Sequence, residues 1–156
     1  MTLTTALARG AAAGAAGTTA LNAVTYLDMT VRGRPASNTP EDSIEKLAGK
    51  AGLEIPGDQD TRSNRVAGLA PLTGLSVGVG LGAAFGVVRW LGWRPAPVTG
   101  AIVVTLTALV GANGPITVLG TTDPRTWTIT DWVSDVVPHL AYGAVTAAVL
   151  DQLDAH

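Results

Sequence analysis

The stretch LAPLTGLSVGVGLGAAFGVV, Leu69–Val88, runs for twenty residues without a charge, and within it Gly74, Gly78, Gly82 and Gly86 recur at every fourth position. Twenty residues at about 1.5 Å rise match a bilayer's hydrocarbon core, roughly 30 Å thick. Four-residue spacing sets the glycines on one nearly continuous helical stripe, where a second backbone can approach closely. In a water-soluble helix each glycine would cost about 0.5–1 kcal/mol relative to alanine. The stripe therefore predicts a helix packed tightly against another in lipid.

Working outward, three more stretches lack charge: Gly10–Leu27, Val98–Thr122 and Val136–Leu150. With Leu, Ile, Phe and Val each favouring insertion by about 0.3–0.6 kcal/mol, the segments at 69–88 and 98–122 gain roughly 4 and roughly 4.5 kcal/mol. The segment at 136–150 gains about 2.7 and that at 10–27 about 1.4 kcal/mol, so the outer pair needs packing against the middle pair. Both carry small-residue faces suited to this. Gly10 and Gly14 form a GxxxG pair continued by Ala13 and Gly17, and Gly143 is followed by Ala147. Arg9 ahead of an Ala/Gly run has the outline of a secretory leader, but the run lacks leucine density and continues into Leu21, Val24 and Leu27, so a retained helix is expected. The expectation is one all-α domain over 1–156, an integral membrane four-helix bundle with spans near 10–31, 67–90, 97–120 and 131–152.

Charged residues make up 14% of the chain, below the roughly 25% of soluble domains, which agrees with a membrane setting. A net charge of -2 supplies no basic field for nucleic acid. The absence of cysteine excludes disulfides, thiolate metal sites and iron–sulfur clusters.

The polar loop at 32–65 contains its own element. Thr39-Pro40-Glu41-Asp42 reads as an N-cap, a first-turn proline and two acids that complement the helix dipole. Ile44, Leu47 and Ala48 then form a short apolar stripe that stops near Gly49 and Gly52, predicting an amphipathic helix on the membrane surface or at the bundle mouth. Trp90 and Trp93 follow the second span while Trp127 and Trp132 precede the fourth, as interfacial belts on opposite faces. Lys and Arg decide the orientation. Arg32, Arg34, Lys46, Lys50, Arg62, Arg65 and Arg125 lie on the long-loop side, against Arg9, Arg89 and Arg94 on the other. The positive-inside rule then puts the long loop in the cytoplasm and both termini outside.

Polar residues within the spans gather at one depth: Asn22, Tyr26 and Asp28 in the first, Asn113 in the third, and Asp135, His139 and Tyr142 in the fourth. Ionisable groups in lipid are costly and turn inward toward partners or water. Asn113-Gly114-Pro115 is expected to kink or break the third helix, and Pro138 to do the same beside His139. The layer reads either as a hydrogen-bonded network that fixes helix register or as a proton or ion site.

Other chemistry finds little footing. His139 and His156 fall on opposite membrane faces, so neither a haem pair nor a zinc set is expected. Gly78, Gly80 and Ala83 match a dinucleotide fingerprint but lack the strand and the later acid that give it meaning. Thr121-Thr122-Asp123-Pro124-Arg125 reads as a turn. No catalytic residue, metal or cofactor is expected.

The runs RGAAAGAAGTTALNAVTYLDM, RGRPASNTPE and VVPHLAYGAVTA resemble small, uncharacterised multi-pass membrane proteins of high-GC actinobacteria. The Pro138–Gly143 segment is similar to the last helix of YagU-type inner-membrane proteins. Neither resemblance implies an activity. Taken together, the residues predict a non-enzymatic structural or accessory protein of the cell membrane. Its partners would be the bilayer and a second copy or larger membrane complex. The alternative is a small transporter or proton/ion-conducting protein using the polar layer.

Overall fold

The computed structural model describes residues 1–155, so the expectation for His156 lies outside the described residues. Among the described residues the chain forms five α-helices and no strand: α1 (Leu3–Arg32), α2 (Thr39–Lys50), α3 (Gln59–Trp90), α4 (Pro97–Val118) and α5 (Ile129–Asp154), with a 3-10 turn at Pro124–Thr126 before α5. Three of them, α3, α4 and α5, are long and apolar enough to span a membrane. α1 is as long as these, but its apolar content is mostly alanine and glycine.

Local chemistry explains the ends. Thr2 accepts from the Thr5 N–H at 3.2 Å and starts α1 seven residues before the expected Gly10. Gly33, at φ 63°, closes it in the left-handed conformation that glycine adopts without penalty. Asp58 accepts from the Thr61 N–H at 2.9 Å, so α3 begins at Gln59, inside the segment expected to be loop. Thr128 and Asp131 form a reciprocal capping box at the head of α5. In α2 the N-cap is Asn38 rather than Thr39, and it contributes no side-chain bond. The Ser37 hydroxyl instead accepts from the Thr39 N–H at 3.2 Å. Of the stripe expected on α2, Ile44 and Ala48 are partly covered while Leu47 stays exposed.

Neither proline of the polar layer breaks its helix. α4 runs unbroken through Pro115 and α5 through Pro138, so of the expected kink or break the break does not occur. Each ring forfeits one backbone bond. Pro115 lies in the last turn of α4, where few bonds remain to lose, and Pro138 is buried against neighbouring side chains that hold its helix together.

α1 is flanked by α3 and α5, and α4 packs on α5; direct contact between α3 and α4 is sparse. The α1–α3 contact is backbone on backbone. A Cβ built on Gly10 would fall 2.9 Å from the Cα atoms of Ala83 and Gly86, and one on Gly14 would fall 3.0 Å from the Cα of Gly82. Gly78 meets the Thr18 hydroxyl of α1 and, 3.5 Å from its missing Cβ, the Tyr142 ring of α5. Gly74 is different: nothing lies near the place its side chain would occupy. The stripe is thus used at Gly78, Gly82 and Gly86 and left idle at its loop end, because α1 covers only one arc of a drifting 3.6-residue repeat.

A second kind of glycine contact recurs between the other helices. Thr146 of α5 fills the space beside Gly17 of α1, and Thr105 of α4 fills that beside Gly143 of α5. Thr18 and Thr105 each donate their hydroxyl to the carbonyl four residues earlier, Gly14 and Ala101, both at 2.8 Å. Their polar atoms are thereby satisfied within their own helices while their methyl groups pack. The core proper joins Ala13, Phe85, Val104, Ala108, Tyr142 and Leu150.

Candidate functional site

Helical periodicity decides which of the expected polar residues meet. Gly10, Gly14, Gly17, Leu21 and Asp28 share the packed arc of α1, whereas Asn22 and Tyr26 lie about 100° or more around the helix and are exposed. These two therefore stand outside any network.

The remaining residues separate into three groups. Near the long-loop end the Asn113 amide of α4 donates to the Asp135 carboxylate of α5 at 2.7 Å. One turn on, His139 Nδ1 lies 2.8 Å from the Asp135 carbonyl and 3.5 Å from its carboxylate. A carbonyl only accepts, so this contact puts the proton on Nδ1 and leaves Nε2 as the other ring nitrogen's free lone pair when the ring is neutral. His139 and Asp135 side chains are 12% and 21% exposed, so both are partly withdrawn from their surroundings.

Asp28 belongs to a different group. Its carboxylate accepts from Arg32 and Arg34, both at 2.6 Å, and Arg32 also donates to the Ser134 hydroxyl of α5. Two guanidiniums neutralise this acid at the helix end, so it does not join Asp135. Tyr142 leaves the layer altogether. Its ring is buried two turns away and its hydroxyl donates to the Gly78 carbonyl of α3 at 2.7 Å. The single layer expected from depth alone is thus a bridge (Asn113, Asp135, His139), an ion-paired cap (Asp28, Arg32, Arg34) and a lone interhelical bond.

The opposite end holds a cluster that sequence reading missed. Arg89 of α3, with its side chain 5% exposed, contacts Asp151 at 2.7 Å and Asp154 at 3.4 Å on α5, and Arg94 reaches Asp154 at 3.2 Å. One signal was present: Asp151 and Asp154 stand at i, i+3 in the last turn of α5, where acids oppose the helix dipole unless cations answer them.

Beside the long loop, Arg62 pairs with Glu45 at 2.6 Å and Lys46 donates to the Gly120 carbonyl, which ties α2 to α3 and to the turn after α4. The Trp127 and Trp132 rings meet edge to face with centroids 4.9 Å apart. Trp93 lies against Phe85 at 6.3 Å. Among the described residues no three His, Asp or Glu side chains gather as metal ligands would. Compared with known protein families, curated proteins and solved structures, the chain finds no match.

Proposed function

We propose that this is a non-enzymatic, four-span protein of the cell membrane with a structural or accessory role, its long loop cytoplasmic and its termini outside. The observation that carries the reading is the seam in which Gly10 and Gly14 of α1 abut Gly82 and Gly86 of α3. Side chains are given up on two helices at once, a device suited to lipid, where apolar burial alone does not drive helices together. α1 supplies the fourth span because it lies along α3 and α5 rather than inserting on its own merit. Seven Lys and Arg on the long-loop side against three on the other set the orientation. A self-associated assembly would use outer faces, since Gly10, Gly14, Gly82 and Gly86 are occupied within the chain.

The Asn113–Asp135–His139 bridge favours one second reading, a small proton- or ion-conducting protein. Purified protein in liposomes separates the two. The accessory role expects no proton or cation flux under an imposed gradient. A flux that disappears on His139→Ala would replace that role with transport. Orientation is read from single-cysteine variants in the otherwise cysteine-free chain: Lys50→Cys should react only from the cytoplasmic side.

A further inference from the structure

α3 and α5 have little direct backbone contact, and at the end away from the long loop they are joined through charge. The charges form a linear chain in which each inner member is shared: Arg94–Asp154–Arg89–Asp151. Arg89 enters the helix array beside Gly100 of α4, where a Cβ would sit at ordinary contact distances, 3.7 Å from its guanidinium and 3.8 Å from the Ala147 methyl. The acids lie at the C-terminal end of α5, where the dipole already adds negative charge.

We propose that this chain of charges is a latch holding the last two turns of α5 against the α3–α4 connection, with Arg89 as its central positioning residue. Remove the guanidinium and Asp151 loses its partner while Asp154 keeps only Arg94, leaving two carboxylates one turn apart and one cation short at the negative end of a helix. The terminal segment then opens as a unit while the glycine seam between α1 and α3 stays closed. Neutralising the acids as well removes the repulsion, so the latch differs from simple packing in being rescued by a further loss of charge.

Hydrogen–deuterium exchange on the full-length protein in detergent or nanodiscs tests this, read over residues 146–154 and over residues 10–18. Arg89→Met should accelerate exchange in the first window by about tenfold or more and leave the second unchanged. Adding Asp151→Asn and Asp154→Asn should return the first window to near the wild-type rate. Unchanged exchange in Arg89→Met, or a triple variant as fast as the single one, would overturn the latch. Should Arg89→Met fail to accumulate, Asp154→Asn alone frees Arg94 and half of the Arg89 pairing. It should accelerate the same window several-fold, and a wild-type rate there would overturn the proposal equally.

Discussion

The Tyr142 hydroxyl of α5 donates to the Gly78 carbonyl of α3 at 2.7 Å, reaching across the interior between two helices whose backbones barely approach each other. Gly78 has to be glycine because of Thr18, whose hydroxyl occupies the place of its missing Cβ, while the tyrosine ring would lie at an ordinary contact distance of 3.5 Å. Its carbonyl is also an acceptor of the helix ladder, so losing the phenol leaves no orphaned group behind. Tyr142→Phe should therefore cost only about 0.5–1 kcal/mol of stability, and Tyr142→Ala, which empties the site, about 3 kcal/mol or more. Reversible denaturation in mixed micelles gives both values.

Gly82 and Gly74 occupy the same stripe and should respond oppositely to alanine. At Gly82 the new methyl would fall 2.5 Å from the Gly14 backbone nitrogen, which cannot move aside without shifting α1. Gly82→Ala should lower stability by about 2–3 kcal/mol through overpacking. At Gly74 space is open and alanine is the better helix former, so Gly74→Ala should be neutral or gain up to about 1 kcal/mol. Equal effects at both positions in a melting experiment would contradict the seam.

Between α4 and α5, Asn113→Leu removes the donor to Asp135 and leaves that carboxylate short of a partner. Interhelical hydrogen bonds in membranes contribute about 0.6 kcal/mol on average and up to about 2, and the cost should fall in that interval. Asn113→Leu with Asp135→Leu should recover most of it. A double-mutant cycle in micelles checks the coupling.

Asp58 links the start of α3 to pH. The hydroxyl and backbone N–H of Thr61 beside it hold its carboxyl below the ordinary value of 3.8. A depressed carboxylate contributes stability that is present above its unfolded value and lost as pH falls through the folded one. Acidification below about 3.8 should therefore loosen the α3 start. Asp58→Asn, which still caps, should lack that acid-dependent step in thermal melts followed from pH 6 to pH 3.

Much of the helical architecture was legible because lipid leaves few alternatives: uncharged runs of sufficient length must be helices, and the run at 69–88 lies within α3 while that at 98–122 fills α4 as far as Val118 and ends in the turn after it. Helix ends were less legible. Asp58 and Thr2 act through local hydrogen bonds to Thr61 and Thr5, and such caps extend helices well past the apolar run that reveals them. The level along the helices at which Asn113, Asp135 and His139 meet was readable, but azimuth was not. Asn22 and Tyr26 were expected in the same layer and are exposed on another arc of α1. Arg89 was hidden for a related reason: a cation at a span end counts toward orientation in any sequence, and only the packed structure shows it turned inward to Asp151. Proline was overread, since a buried Pro138 loses one bond but keeps its neighbours.

Gly10, Gly14, Gly82 and Gly86 are spent between α1 and α3, and the exposed flank of α4 carries Val98, Ile102, Leu106 and Val110. To a neighbouring molecule in the bilayer such a flank is nearly indistinguishable from acyl chains, so two copies colliding there exchange one oily contact for another. Lasting company would then have to be recruited on a face other than this flank of α4.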